Sequence, residues 1–316
     1  MSSFAAGSRA GVLALVLASL LWGTTGTSAS FLPDDVSPLA VGASTMGVGG
    51  MLLFAATARS AVGVLRDPES RRWVLIGALG VVVYPLAFYA GMDQAGVAVG
   101  NVVALGSGPA FAALLEWIVE RRRLGARWAV STAIAVTGIA LLALGREPDA
   151  AAGRGGIVAG VVLALIAGLA YALYTYASGR AIRGRGDSGG RPSRAVMGAM
   201  FGVGALLLLP VLLVTGAPLL QSPQTVGIAA YLAIGPMFVA YLLFGVGLRS
   251  IRSSTVTTIT LLEPVVATVL AVTVVGERLA PVGWVGLALV LGGLALVMTS
   301  RRDPSASVVS ARRTPK

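Results

Sequence analysis

The chain has 316 residues, 56% of them hydrophobic and only 12% charged, with a mean hydropathy of +0.86 and a formal net charge of +11. Soluble domains carry about 25% charged residues, so half that share together with long apolar runs points to an all-α membrane protein. Cysteine and histidine are both absent, which excludes disulfides, thiol catalysis, Ser–His hydrolysis and His-rich metal sites, and no cofactor or metal is expected.

Ten apolar segments follow one another along the chain. A short N-terminus, residues 1–10, precedes span 1 at 11–31, which is interrupted by Trp22-Gly23-Thr24-Thr25. Arg9, the apolar stretch and Ser28-Ala29-Ser30 supply the parts of a signal peptide. Removing that stretch would leave nine spans, so span 1 is expected to stay. Spans 2 and 3 cover 37–58 and 73–92, and span 3 carries Tyr84 and Tyr89. Span 4, at 97–119, carries Asn101 and Pro109, and ends in Glu116, Glu120 and three arginines that read as a surface charge cluster. Span 5 covers 128–145, and a polar, turn-rich linker at 146–154 leads to span 6 at 155–179, with Tyr171 and Tyr174. Span 7 covers 195–215, and span 8 covers 225–248 with Tyr241. Span 9, at 254–275, holds Thr257, Thr260, Glu263 and Pro264, and span 10 covers 282–300. Residues 301–316 read as a disordered cytoplasmic tail.

The arginines orient these spans. With the N-terminus in the cytoplasm, 21 of the 24 basic residues fall on the cytoplasmic side, and only Arg146, Arg154 and Arg278 fall outside. Basic charge lying between apolar runs marks membrane orientation, so no nucleic-acid partner is expected. Both termini are predicted cytoplasmic, in a multi-pass protein of the inner membrane.

A second regularity is a repeat at a shift of 155 residues. Gly80 falls on Gly235, Pro109 on Pro264, Arg123 on Arg278, Leu124 on Leu279 and Gly138 on Gly293. Residues 11–145 and 155–300 are therefore two copies of one five-helix unit. Five is odd, so the second copy enters the membrane from the opposite face. The expected fold is ten transmembrane helices as two inverted five-helix repeats, with a substrate site where they meet.

Within such a cavity the costly residues stand out. Glu263 sits mid-span beside Pro264, where an ionised carboxylate is expensive. It is either a proton-coupling or amine-binding group facing a cavity, or a structural acid bonded to backbone that Pro264 leaves unpaired. Matched Pro109 and Pro264 are hinge candidates, since each removes one helical hydrogen bond; a static kink is the plainer alternative. Thr257, Thr260 and Glu263 recur every three residues near one helical face, and both threonines also suit backbone-bonded packing. Asn101, Trp22, Thr25, Tyr84, Tyr89, Tyr174 and Tyr241 are polar or polar-tipped residues inside apolar runs, suited to bracketing a small substrate. Trp73, Trp117, Trp128 and Trp284 lie near segment ends, as an interfacial belt would.

Three stretches resemble the drug/metabolite transporter (DMT) superfamily in its ten-helix form with two EamA-type repeats. They are Leu21-Trp22-Gly23-Thr24-Thr25, Pro109 with the GIALLAL run at 138–144, and the LLEPVVATVLAVTVVGERLAPVGWVGLALVLGGLAL run at 261–296. The first half departs from the pattern, because Arg122 stands where Glu277 would lie. The resemblance implies a basket of ten helices whose spans 1, 3, 4, 6, 8 and 9 line a central pocket, with spans 5 and 10 at the periphery. It further implies a secondary transporter rather than an enzyme, working by alternating access on a small-molecule substrate within the lipid bilayer. A proton is a candidate coupling ion, and amino-acid or amino-acid-like export is the leading expectation. A lipid or lipid-linked-sugar flippase of similar fold is the alternative. A membrane-embedded enzyme is disfavoured by scattered acids and the lack of histidine.

Overall fold

A computed structural model describes residues 2–121, 126–145, 153–183, 192–250, 259–260 and 262–300. These residues form ten helices. The first, α1 (Ser2–Gly23), breaks at Thr24 and resumes as a short helix over Thr25–Ala29. It is followed by α2 (Pro38–Arg66), α3 (Pro68–Ala95), α4 (Val97–Glu120) and α5 (Ala126–Leu144). The second half contains α6 (Gly153–Arg183) and α7 (Ser193–Thr215). Next, α8 runs as Pro223–Leu232, a wider π-type turn at Ala233–Val239, and Ala240–Ser250. Finally, α9 runs as Leu262–Leu270 with a second wide turn at Ala271–Val275, and α10 covers Pro281–Ser300.

Local sequence explains several of the boundaries. Three helices begin with a capping residue followed by proline: Ser37-Pro38, Asp67-Pro68 and Ser222-Pro223. In each the capping side chain accepts a hydrogen bond from the backbone N–H three residues on, and the proline occupies a position whose N–H would have no helical partner. Between α3 and α4 stands the single residue Gly96, at φ 89°, a backbone shape that glycine accepts without strain. The helices overrun the predicted spans in places, α2 to Arg66 and α6 to Arg183. Hydropathy marks what lies in lipid, whereas hydrogen bonding sets where a helix stops.

Among the described residues, seven helices are long and apolar enough to cross a bilayer. The apolar stretches Ala129–Leu144, Leu262–Val275 and Pro281–Leu296 of α5, α9 and α10 are shorter. About 20 residues span a hydrocarbon core, and those seven exceed that length among the described residues.

Packing joins the two halves rather than segregating them. The extensive interfaces are α3 with α6, α2 with α7, α5 with α10, and α4 with α6; α1 lies against α8 and α9, and α4 against α9. Advancing each helix by five reproduces the set: α3–α6 becomes α8–α1, and α4–α6 becomes α9–α1. The same correspondence appears in atomic detail. A Cβ on Gly138 would lie 2.7 Å from the Gly286 carbonyl oxygen, and one on Gly293 would lie 3.0 Å from that of Ser131. Residues 138 and 293 are 155 apart, and so are 131 and 286. Likewise Gly49 faces the Ala233 carbonyl oxygen and Gly204 faces that of Ala78, again at a shift of 155. With lipid on all sides, close backbone approach at such small residues is what holds helices together.

Candidate substrate cavity

A cavity of about 250 Å³ opens at the centre of the bundle. From the first half, α1 contributes Trp22 and Thr25, α3 contributes Tyr84, Phe88 and Tyr89, and α4 contributes Pro109. From the second half come Tyr171 and Tyr174 of α6, Pro236, Tyr241 and Phe244 of α8, and Thr260, Glu263 and Pro264 on α9 or just before it. The wall also includes Thr45 and Met46 of α2, Met197 of α7 and Leu294 of α10. The expected set of lining spans therefore widens: α2 and α7 pack along each other and close one side, and α10 supplies a single leucine.

The break in α1 helps build this site. Gly23 leaves no room for a side chain, since a Cβ there would lie 2.6 Å from Val266 Cγ1 and 3.1 Å from the Glu263 carbonyl oxygen. Glycine at 23 thus lets α9 nest against α1 at the level of Glu263. The Thr24 hydroxyl bonds to the Leu21 carbonyl at 2.7 Å and approaches the Tyr231 hydroxyl at 2.6 Å, tying the broken turn to α8. Trp22 Nε1 donates to the Pro236 carbonyl at 2.9 Å. That carbonyl lies in the wide turn of α8, where normal helical bonding is disturbed.

Rings form most of the remaining wall. Tyr84, Tyr171 and Tyr174 lie within 5.2 to 6.0 Å of one another, centroid to centroid, and Tyr84 stacks on Phe88 at 5.3 Å. Trp22 meets Tyr241 at 5.4 Å and Phe244 at 5.5 Å. The Tyr174 and Tyr241 hydroxyls are 3.3 Å apart, as are those of Thr45 and Tyr89. Most of these pairs meet edge-on or tilted, the preferred arrangement for ring quadrupoles.

Glu263 is the one charged side chain among the described lining residues. Among the described residues it has no hydrogen bond and no ion pair. The structural alternative, an acid tied to backbone freed by Pro264, has no such bond among those residues.

The structure brings Trp22, Thr25, Tyr84, Tyr89, Tyr174, Tyr241, Glu263, Pro109 and Pro264 together around one space. Asn101 is not among the lining residues. It is fully buried in α4, with neither amide atom bonded among the described residues. Thr257 lies outside the described residues. Helix α4 runs unbroken through Pro109, and described helical residues lie on both sides of Pro264. Thr45, Phe88, Tyr171 and Phe244 were not singled out as site residues in the sequence. Three of them had a usable signal, because Phe88, Tyr171 and Phe244 sit three or four residues from Tyr84, Tyr174 and Tyr241 and so share their helix faces.

A second cavity, of about 420 Å³, lies at the end of the bundle formed by the loop after α1, the α3–α4 junction and the loop before α10. Tyr89 lines both spaces. Asp34, Asp93 and Glu277 also line it, and the Glu277 carboxylate accepts from the N–H groups of Val97 and Ala98 at the start of α4.

The model of the EamA-like transporter family matches the chain twice, over residues 9–144 and 158–299. The chain belongs to the EamA-like transporter family. It is also 33% identical over 294 residues to the uncharacterized transporter YwfM of Bacillus subtilis (strain 168), covering 92% of this chain and 94% of that protein. One solved crystal structure shares the fold, with a TM-score of 0.61 at 23% identity over 93% of this chain and 98% of the other. Family and helices together make the protein a multi-pass membrane transporter, and the twofold match makes each half one EamA unit.

Proposed function

We propose that this EamA-family protein is a secondary transporter that carries a small amine-bearing metabolite across the inner membrane by alternating access, with both termini in the cytoplasm. The central cavity is its substrate site. The observation that carries this reading is a central cavity drawn from both EamA units and furnished with one carboxylate, Glu263, that has no partner among the described residues. Intramembrane acids facing cavities mark substrate or proton pathways.

The two units are proposed to be inverted about a pseudo-two-fold axis in the membrane plane. Three things support this: the exchange of helix pairings, the mirrored contacts at a shift of 155 residues, and the distribution of arginines. Inverted units can rock against each other around a fixed site, with Pro109 and Pro264 as the flexing points. Amino-acid-like export is the finer reading from the resemblance. Glu263 suits the amine end of such a solute or a coupling proton.

The test is uptake by the purified protein in proteoliposomes under imposed pH gradients, with Glu263→Gln beside the native protein. Gradient-driven uptake is expected to be lost in the variant. Unchanged transport with an unchanged response to the gradient would remove Glu263 from the mechanism.

A further inference from the structure

Resting on that transport reading but departing from its amino-acid-like form, we propose that the solute is an organic monocation with a flat apolar body, and that a carboxylate on the solute counts against it. The central cavity would be a cation box: ring faces around the body and Glu263 opposite the charge.

The aromatic lining is the first ground. Aromatic faces carry negative potential, and a cation desolvated against them is attracted more strongly than in water. Tyr84, Tyr171 and Tyr174 form one wall, while Trp22, flanked by Tyr241 and Phe244, forms another. The second ground is the Glu263 carboxylate, which has no partner among the described residues and which a cationic guest would neutralise. A buried charge left alone is costly, so occupancy by a cation relieves it.

The third ground is what an α-carboxylate would meet. No arginine or lysine stands among the described lining residues. Arg180, further along α6, is engaged elsewhere: its Nη1 pairs with Glu120 Oε1 at 3.2 Å, and its guanidinium lies 5.0 Å from the centre of the Trp73 ring. An anion in the cavity would face Glu263 and the negative faces of the rings together, and like-signed charge is an effective means of rejection. The neighbouring cavity has the same sign. Asp34, Asp93 and Glu277 line it, no basic residue is among its described lining, and Tyr89 is its shared wall with the cation box. An acidic approach of this kind raises the local concentration of cations.

The experiment uses the full-length protein in nanodiscs and four probes with one shared ring: 2-phenylethylamine, benzyltrimethylammonium, phenylalanine and 2-phenylethanol. Binding is read by calorimetry. The two cations are expected to bind at least about tenfold more tightly than the zwitterion and the alcohol. Glu263→Gln should remove that advantage and leave 2-phenylethanol unchanged, with Glu263→Asp retaining part of it. Should Glu263→Gln fail to fold, Tyr171→Leu against Tyr171→Phe decides: only loss of the ring should weaken the quaternary cation, by several-fold. Phenylalanine binding as tightly as 2-phenylethylamine, cation affinity indifferent to both substitutions, or no binding by either cation would overturn the proposal. The same probes in proteoliposomes separate the two readings. Cations that bind but never accumulate would overturn transport alone, and phenylalanine that accumulates while the cations do not bind would overturn the cation box alone.

Discussion

Helices α4 and α9 occupy matching places in the two EamA units and lie against each other, yet only one of them carries charge into the cavity. Their backbones share two features. Each brings a proline to the cavity wall, Pro109 and Pro264. Each ends in a left-handed residue at the same register position, Arg121 at φ 54° and Gly276 at φ 83°. Their chemistry has diverged. The partner of Glu263 in the repeat is Gly108, where a Cβ would lie 3.1 Å from Tyr171 Cδ1. One unit therefore leaves room for a ring where the other places a carboxylate. After Gly276 the chain continues with Glu277, which caps α4 of the other unit, whereas Arg122 holds that place in the first. Duplication has kept the proline and the left-handed helix end, and has changed the residues beside them that meet the cavity.

The sharpest way to break that comparison is to disturb a residue pair held in common. Gly138 and Gly293 face each other's helices at the α5–α10 seam, with spaces of 2.7 and 3.0 Å to a carbonyl oxygen. Overpacking a tight seam costs about 1–3 kcal/mol, and backbone on both sides cannot yield as a flexible side chain would. Gly138→Leu should therefore lower the thermal midpoint in detergent most, with Gly293→Leu close behind. A seam that tolerates leucine at one site and not at the other would show that the halves do not mirror each other there.

Next in size is Glu277, which marks the asymmetry. Its carboxylate accepts from two backbone N–H groups at the start of α4 and so links the two units. Hydrogen bonds to a charged group are worth about 1.5–3 kcal/mol, and helix caps about 1 kcal/mol, so Glu277→Ala should cost about 2 kcal/mol. Glu277→Gln, which keeps one acceptor, should cost less. If the alanine variant unfolds at the same denaturant concentration as the native protein, the cap contributes nothing to holding the units together.

The fold and the cavity were legible to different degrees, for physical reasons. Apolar runs of membrane length and the 155-residue echo are unavoidable in a chain that must satisfy its backbone in lipid, so ten segments were readable. Trp22, Tyr84, Tyr174, Tyr241 and Glu263 stood out because a polar atom in an apolar run is costly there. Phe88, Phe244 and Met46 did not, since an apolar side chain facing a cavity looks in the sequence like one facing a neighbour. Asn101 shows the converse. Its polarity drew attention, but nothing in a single sequence says which side of α4 faces the cavity, and the structure turns that position into the packed interior. The capping role of Glu277 was equally hidden, because it depends on a partner 180 residues away.

The smallest effects belong to the two helix ends, and they should have opposite signs. Both α4 and α9 terminate by turning one residue left-handed, which glycine does freely and other residues do at a cost of about 1–2 kcal/mol. Around Gly276 there is open space, so Gly276→Ala tests conformation without collision and should destabilise by about 1 kcal/mol. Arg121 already carries that strain, and its side chain is exposed. Arg121→Gly should therefore raise the thermal midpoint by the equivalent of up to about 1 kcal/mol, making the first unit's helix end resemble the second's. A loss of stability in Arg121→Gly instead would mean that the arginine has a role the glycine of its sister unit never had, and the likeness of the two helix ends would stop at the backbone.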